Sequence, residues 1–189
     1  MSTYVIFDAE NPPAAPPRYA EGVMGYLGGA RAARVWTLAN WLAFRDIRQF
    51  PVYVPDIGAD PAQQGIEAAE LAIGLGWSNK EKGAAQRAIF IDMETSADAA
   101  WYDTIASTIA LRGFMPVAYG SLSTVLANAA DDVLAADWND QVAIPKGQTL
   151  HGHQYVANAA FGGTVVDYST IDGWLYQRGG VGPRHTGAH

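Results

Sequence analysis

The chain has 189 residues, of which 49% are hydrophobic and 16% charged, and its formal net charge is −7. This length predicts one domain with a substantial core, while the acidic balance argues against a broad nucleic-acid surface. The absence of cysteine excludes disulfides and thiolate metal sites, and no apolar run reaches the roughly 18 residues that a membrane span needs.

Taken in chain order, short apolar runs alternate with stretches of helical spacing. Met1-Ser2-Thr3 leads directly into the first run, so the sequence predicts no signal peptide. The apolar runs predict eight strands, at residues 4–9, 22–27, 50–57, 88–94, 114–119, 133–138, 151–156 and 164–168.

Helices are predicted between several of these strands. Apolar residues recur at helical spacing between residues 35 and 47. Asp60-Pro61 predicts the N-cap and first residue of a second helix. Ser96 predicts the cap of a third helix, which Gly113 would end. Residues 121–128 predict a shorter fourth helix.

Strands that alternate with helices predict parallel pairing through right-handed crossovers. Eight such strands predict a closed α/β barrel with its active site at the C-terminal strand ends. Only residues 157–163 separate the last two strands, which is too few for a crossover helix. The expected fold is therefore an irregular (β/α) TIM-like barrel with a degenerate second half and a candidate antiparallel pair. We expect one domain over residues 1–178 and a flexible tail over residues 179–189.

The most informative motif is Asp92-Met93-Glu94, at the end of the predicted fourth strand. Side chains alternate along a strand, so the two carboxylates share one face about 6.5–7 Å apart. Such a pair suits acid–base work on a glycosidic bond. Carboxylates gathered at one rim also raise one another's pKa, which a general acid needs at neutral pH. Other predicted strand ends carry Asp8 and Glu10, Asp56, Tyr119, Asp137 and Trp138, Gln154 and Tyr155, and Asp167.

Each of these residues has a structural alternative. Asp8 and Asp167 become neighbours if the barrel closes, and they can then form a hydrogen-bonded structural pair. Tyr119 and Trp138 suit barrel packing as well as stacking on sugar faces. His151 and His153 share a strand face, but the chain lacks both cysteine and an H-E-x-x-H motif, which argues against a metal. Because no G-x-G-x-x-G fingerprint is present either, no cofactor is expected.

These motifs carry a family resemblance. The order Asp8, Asp92-x-Glu94, Tyr119, Trp138, Gln154-Tyr155 and Val166-Asp167-Tyr168 resembles that of the glycoside hydrolase family 25 lysozymes. The chain resembles more closely the glycoside hydrolase-like family called domain of unknown function 1906. That likeness lies in Gly25-Tyr26-Leu27, Trp36-Thr37-Leu38 and the helix at residues 65–76. It covers residues 4–176. The sequence departs from the lysozyme pattern at Glu10, where those enzymes usually have a small residue, and at His153, where they often have Trp.

The resemblance implies a compact irregular barrel of family 25 type that cleaves the bond between N-acetylmuramic acid and N-acetylglucosamine in peptidoglycan. Glu94 would be the general acid and Asp92 would orient the acetamido group or stabilise oxocarbenium charge, while Asp8 and Asp167 would tune both. The implied substrate-binding residues are Glu10, Asp56, Tyr119, Asp137, Trp138, Gln154 and Tyr155.

Two other functions remain open on the same barrel. One is a non-catalytic glycan-binding module, such as a phage virion or tail component that contacts other virion or cell-envelope proteins. The other is a hydrolase of a different polysaccharide. In each case the expected partner is a cell-wall polysaccharide and the expected place of action is the cell wall, reached by a phage or by non-classical export. Neither nucleic acid binding nor membrane insertion is expected.

Overall fold

The computed structural model describes residues 2–30, 32–77, 85–93, 98–128, 132–136 and 150–180. In these ranges eight strands form a closed barrel and follow one another around it in chain order. All eight predicted strands are confirmed, although their ends differ from the prediction. They are β1 Thr3–Asp8, β2 Gly22–Gly29, β3 Arg48–Val54, β4 Ala88–Asp92, β5 Met115–Ser121, β6 Val133–Ala136, β7 Leu150–Phe161 and β8 Thr164–Asp172.

Five α-helices occur in the described ranges. They are α1 Leu38–Ala43, α2 Pro61–Gly74, α3 Ala99–Leu111, α4 Leu122–Asn128 and α5 Gly173–Tyr176, and a 3-10 helix spans Ala32–Arg34. Four of them lie where the sequence predicts helices, whereas α5 has only four residues and shows no periodicity. None of the described helices combines the length and hydrophobicity needed to cross a membrane.

The helix caps show where local prediction succeeded and failed. The Asp60 cap is confirmed, because its side chain accepts a hydrogen bond from the backbone of Ala62 at the start of α2. The predicted Ser96 cap is wrong. Asp98 caps α3 and accepts from the Trp101 N–H at 2.7 Å. Asp98 stands directly before the first helical residue, where a carboxylate also interacts favourably with the helix dipole.

The second half of the barrel departs from the regular (β/α) pattern, as predicted. The strands from β1 to β7 pair with their chain neighbours in parallel, whereas β8 runs antiparallel to both β7 and β1. Gly162 and Gly163, with φ of 56° and 83°, form the tight turn between β7 and β8, which favours glycine because both φ angles are positive. Asp167 therefore lies in the N-terminal half of β8, which corrects its predicted place at a C-terminal strand end. It still reaches the expected rim, because β8 runs in the opposite direction.

The other end of the barrel, where the parallel strands begin, is closed by the segment after α5. Gly180 and Gln49 exchange two backbone hydrogen bonds of 2.7 and 2.8 Å, which holds this segment against β3. A Cβ on Gly179 would lie 2.6 Å from Cζ of the fully buried Phe50. Only glycine therefore fits at position 179, where the closing segment packs against this ring. Residues 181–189 lie outside the described ranges, so the flexible tail stays a prediction.

Candidate active site

A cavity of about 800 Å³ opens at the rim formed by the C-terminal ends of the parallel strands. It is the place that the barrel fold favours for an active site. Five of the predicted site residues line it: Asp8, Glu10, Tyr119, Gln154 and Asp167. Four of them lie on β1, β5, β7 and β8, and Glu10 follows β1. Closure of the sheet makes β7, β8 and β1 neighbours, and β5 lies across the barrel from β1, so residues far apart in sequence meet.

Asp8 and Asp167 lie side by side and share one amide. They are directly paired in the β1–β8 register. The Gln154 amide nitrogen donates to Oδ2 of Asp8 at 3.2 Å and to Oδ2 of Asp167 at 3.1 Å. Asp8 is only 6% exposed. A buried carboxylate needs hydrogen bonds to offset its desolvation, and the Gln154 amide supplies one to each of the two acids.

Tyr119 reaches Asp8 from the opposite side of the barrel. Its hydroxyl donates to Oδ2 of Asp8 at 3.1 Å, although β5 and β1 are 111 residues apart along the chain. Burial raises the pKa of the Tyr119 hydroxyl well above its usual value, and the charges of Asp8, Tyr26, Asp92 and Asp167 add to the shift. At neutral pH Tyr119 therefore stays a hydrogen-bond donor toward the carboxylates.

Asp92 lies beside this network but not at the cavity surface. It is opposite Tyr119 in the β4–β5 register and is only 3% exposed. Its charge is one of those that raise the Tyr119 pKa. Asp92 is not among the cavity-lining residues. The structure thus puts it at the level of the site, buried behind the lining.

A β-bulge in β7 aims a backbone donor at Asp167. The β7–β8 register shifts between Val156 and Ala159, and Asn158 within this stretch has a φ of 59°. Asn tolerates this left-handed conformation better than most residues. The Asn158 N–H donates to Oδ1 of Asp167 at 2.6 Å. Asn158 was not predicted as a site residue, because a bulge depends on strand register and leaves no periodic signal in the sequence.

Arg34 and Tyr26 also line the cavity and were likewise not predicted as site residues. Arg34 ends the 3-10 helix and pairs with Glu10, with 2.5 Å between Nη1 and Oε1. Trp36, two residues further on, anchors this segment through two hydrogen bonds. Its indole N–H donates to the Ala9 carbonyl at 3.0 Å, and its backbone N–H donates to the Tyr26 carbonyl at 2.9 Å. The sequence signals near these two residues were the Gly25-Tyr26-Leu27 and Trp36 motifs. Neither motif contains a charged group, so neither marked a functional site.

Two predicted substrate-binding residues do not line the cavity. Asp56 is exposed in the β3–α2 loop, where its Oδ1 accepts from the Gly58 N–H at 2.9 Å, so it stabilises its own turn. Tyr155 is only 9% exposed and belongs to the hydrophobic core. Burial raises its pKa, with a smaller contribution from Tyr19. Glu94, Asp137 and Trp138 lie outside the described residues, and their predicted roles stay predictions.

The two histidines of β7 have different surroundings, because His153 is fully buried whereas the side chain of His151 is 20% exposed. His151 contacts carboxylates through both ring nitrogens, with Nδ1 2.9 Å from Asp172 and Nε2 3.3 Å from Asp132. Its ring also stacks on Trp174 at 3.9 Å. Across the described ranges, no group of three or more His, Cys, Asp or Glu side chains is placed to hold a metal ion.

Comparison with known proteins identifies the fold but not the family. No family model matches the chain, and no curated protein does so either. The chain is similar to the structure of a family 25 glycosyl hydrolase from Bacillus anthracis, with a TM-score of 0.59 at 10% identity over 85% of this chain and 82% of that one. The fold is that of a family 25 glycosyl hydrolase.

Two other solved structures share this fold. One is an uncharacterized B. stearothermophilus protein, with a TM-score of 0.67 at 16% identity over 93% of this chain and 99% of that chain. The other is the modular autolysin LytC from Streptococcus pneumoniae, solved in complex with a synthetic peptidoglycan ligand. Its TM-score is 0.61 at 15% identity, over 90% of this chain and 47% of that chain. The chain thus spans about half the length of the autolysin.

Proposed function

We propose that this chain is a glycoside hydrolase that acts on peptidoglycan or a related N-acetylated cell-wall glycan. The observation that carries the proposal is the pair of carboxylates, Asp8 and Asp167, joined by the Gln154 amide in a cavity of about 800 Å³. The similar structures include an autolysin with a peptidoglycan ligand and a family 25 glycosyl hydrolase, which supports this substrate class. Membership of the family called domain of unknown function 1906 is part of the same proposal.

In the proposed reaction Glu94 donates a proton to the leaving glycosidic oxygen. Asp92 does not line the cavity and therefore acts through its negative charge. It favours attack of the acetamido carbonyl oxygen on the anomeric carbon, which breaks the glycosidic bond and closes an oxazolinium ring, or it stabilises the oxocarbenium charge. Water then attacks the anomeric carbon, which breaks the bond to the acetamido oxygen and restores the acetamido group. The attacking water gives its proton to the Glu94 carboxylate, which restores the acid. This substrate-assisted route is an exception to the scheme with two reacting carboxylates. The role of Glu94 rests on the sequence motif alone.

The residues that line the cavity would bind the sugar. The carboxylates of Asp8 and Asp167 accept hydrogen bonds from sugar hydroxyls, and Tyr119 holds Asp8 in place through its hydroxyl. Their negative charge also favours the protonated form of a neighbouring acid. Asp137 and Trp138 belong to the substrate-binding set on the strength of the sequence. The cell-wall polysaccharide is the proposed partner.

A second function is favoured by a specific feature of the same network. Asp8 and Asp167 already accept hydrogen bonds from Tyr119, Gln154 and the Asn158 backbone, as a structural pair of acids would. A barrel that binds glycan without turnover, as a virion or envelope component, would keep these bonds. The two functions differ only in whether a bond is broken.

The deciding experiment measures sugar release from purified peptidoglycan by the wild type and by Glu94→Gln, with glycan pull-down and thermal melting on both. We expect Glu94→Gln to lose about 10²–10⁴-fold in turnover while it keeps binding and melting temperature. Glu70→Gln is the matched control, because Glu70 lies on α2 and its side chain is 63% exposed. Equal turnover in Glu94→Gln and wild type would remove Glu94 from the mechanism. Binding without turnover in both would favour the non-catalytic module.

A further inference from the structure

The cavity carries one positive charge among its described lining residues. Arg34 is the cation, and the three acids Asp8, Glu10 and Asp167 line the same space. A cavity with this balance disfavours an anionic ligand unless a cation receives the negative group. A neutral glycan would need no such cation.

Arg34 is held in a defined position at the outer edge of the cavity. Its Nη1 atom pairs with Glu10, and the side chains of Arg34 and Glu10 are 35% and 47% exposed, whereas Asp8 lies deeper at 6%. The hydrogen bonds of Trp36 to Ala9 and to Tyr26 tie this segment to the ends of β1 and β2. A group bound by Arg34 would therefore project from a sugar that occupies the deeper part of the cavity.

The guanidinium chemistry fits a carboxylate. Arginine presents five N–H donors in a planar fork that matches the two oxygens of a carboxylate. Glu10 engages the fork through Nη1, and the remaining donors can hold a second carboxylate at the cavity edge. An exposed ion pair of this kind is worth little by itself, so a ligand can rearrange it at small cost.

We propose that Arg34 is a specificity-determining residue that binds a carboxylate on a substituent of the glycan, in competition with the Glu10 carboxylate that pairs with the same guanidinium. The inference rests on the proposed function, because it assigns the substrate class of the same cavity. The carboxylate can come from a lactyl ether on the sugar itself or from a peptide attached to it. Both sources share the chemistry that Arg34 recognises.

The test measures equilibrium binding of three ligands by calorimetry. They are a peptide-free glycan with free lactyl carboxylates, a muropeptide whose carboxylates are on the peptide, and a neutral oligomer of N-acetylglucosamine. We expect Arg34→Gln to lower the ratio of carboxylated to neutral affinity about tenfold, the size of a charge-assisted hydrogen bond at a half-exposed site. The carboxylated ligand that loses affinity in Arg34→Gln shows whether Arg34 recognises the lactyl carboxylate or a peptide carboxylate.

Two further variants keep the proposal falsifiable. Glu10→Gln frees the guanidinium and should raise affinity for the carboxylated ligand about two- to fivefold, the worth of an exposed ion pair. Arg112→Gln is the matched control, because Arg112 also pairs with a glutamate, Glu70 at 3.5 Å, on helices away from the cavity. It should change no affinity ratio. Thermal melting of each variant checks that the fold is kept.

The outcomes separate this inference from the proposed function. The inference would be overturned if Arg34→Gln lowered the affinity for all three ligands equally or changed none of them. Weaker binding of the carboxylated ligands by Glu10→Gln would also overturn it. If the wild type hydrolyses peptidoglycan but shows no preference for carboxylated ligands, the proposed function is supported and the inference about Arg34 is overturned. A charge preference that depends on Arg34, without hydrolysis, would support the inference and overturn the hydrolase. A wild type that binds none of the ligands would overturn both.

Discussion

The two ends of the barrel use buried polar groups in different ways. At the open rim the acids Asp8 and Asp167 lie side by side and accept hydrogen bonds from the neutral side chains of Tyr119 and Gln154. At the closed end the carboxylates of Asp132 and Asp172 flank a basic group, His151. Like charges held together cost stability and shift one another's pKa, whereas at the closed end a histidine ring lies between the two carboxylates. The two ends therefore differ in how their acids are arranged.

The closed end is also filled more tightly. Gly179 fits against Phe50, and its carbonyl accepts hydrogen bonds from Arg48 at 3.3 Å and Arg87 at 2.5 Å. The Arg178 guanidinium lies 3.7 Å from the ring centre of Trp174. The rim instead leaves a cavity of about 800 Å³. Substitutions at the two ends should therefore have separable effects, on activity at the rim and on stability at the closed end.

The largest expected effect is on turnover at the rim. Asp92→Asn should lower hydrolysis of peptidoglycan about 10²–10³-fold, the usual cost of removing one group that stabilises the transition state. Its melting temperature should stay the same or rise, because the change removes one charge near Asp8 and Asp167. Asp172→Asn is the matched change at the closed end and should leave turnover per folded molecule unchanged. Loss of turnover in Asp172→Asn would break the division between the two ends.

The second effect is on stability at the closed end. Gly179→Ala should lower the free energy of unfolding by about 1–3 kcal/mol, because the new Cβ overpacks the site next to the Phe50 ring. Gly74→Ala serves as the control, since nothing lies within 4 Å of a Cβ added there, near the end of α2. That variant should be neutral or gain up to about 1 kcal/mol. Urea unfolding measures both, and equal stability in the two variants would contradict the tight closure.

The third effect concerns the contacts of His151 at the closed end. His151→Gln should cost about 1–3 kcal/mol, because it breaks the contacts of the imidazole ring with Asp132 and Asp172 and removes the ring that stacks on Trp174. The exposed pair between Arg112 and Glu70 is the reference, and its removal should cost less than about 1 kcal/mol. Thermal unfolding of both variants checks the difference. A cost for His151→Gln no larger than the reference would mean that the cluster contributes little.

The smallest effect is a pH dependence at the rim. The folded-state pKa of Tyr119 is raised above the usual value of 10.0, so below that pH the group is protonated in both states. As the pH rises past this value, the unfolded chain loses the proton while the folded chain keeps it. The free energy of unfolding then falls by up to about 1.4 kcal/mol per pH unit.

Tyr119→Phe should remove this contribution, so its stability should fall less steeply above pH 10 than that of the wild type. Denaturant unfolding at pH 8, 9, 10 and 11 measures the two slopes. Between pH 8 and 9 the slopes should agree, which serves as the internal control. Identical slopes above pH 10 would show that Tyr119 ionises as easily in the folded chain as in the unfolded one.

Much of the barrel was predictable from the sequence because its signals are local. Apolar runs marked all eight strands, and Asp60-Pro61 marked the start of α2. The short spacing before the last strand predicted the irregular second half, which the hairpin of β7 and β8 confirms. Strand ends also predicted five residues that line the cavity, since parallel strands of a barrel place their C-terminal ends at one rim.

The tertiary structure alone decided which of these residues meet. Tyr119 bonds Asp8 across 111 residues of sequence, and the bulge at Asn158 turns a backbone N–H toward Asp167. Both depend on which strands meet when the barrel closes and on the irregular register of β7. Arg34 reaches the cavity because Trp36 anchors its segment to β1, whereas Asp56 folds back on its own loop. The sequence by itself determined the strands and the rim that holds the acids. Long-range pairing decided the hydrogen-bond network, because contacts between distant strands form only when the barrel closes.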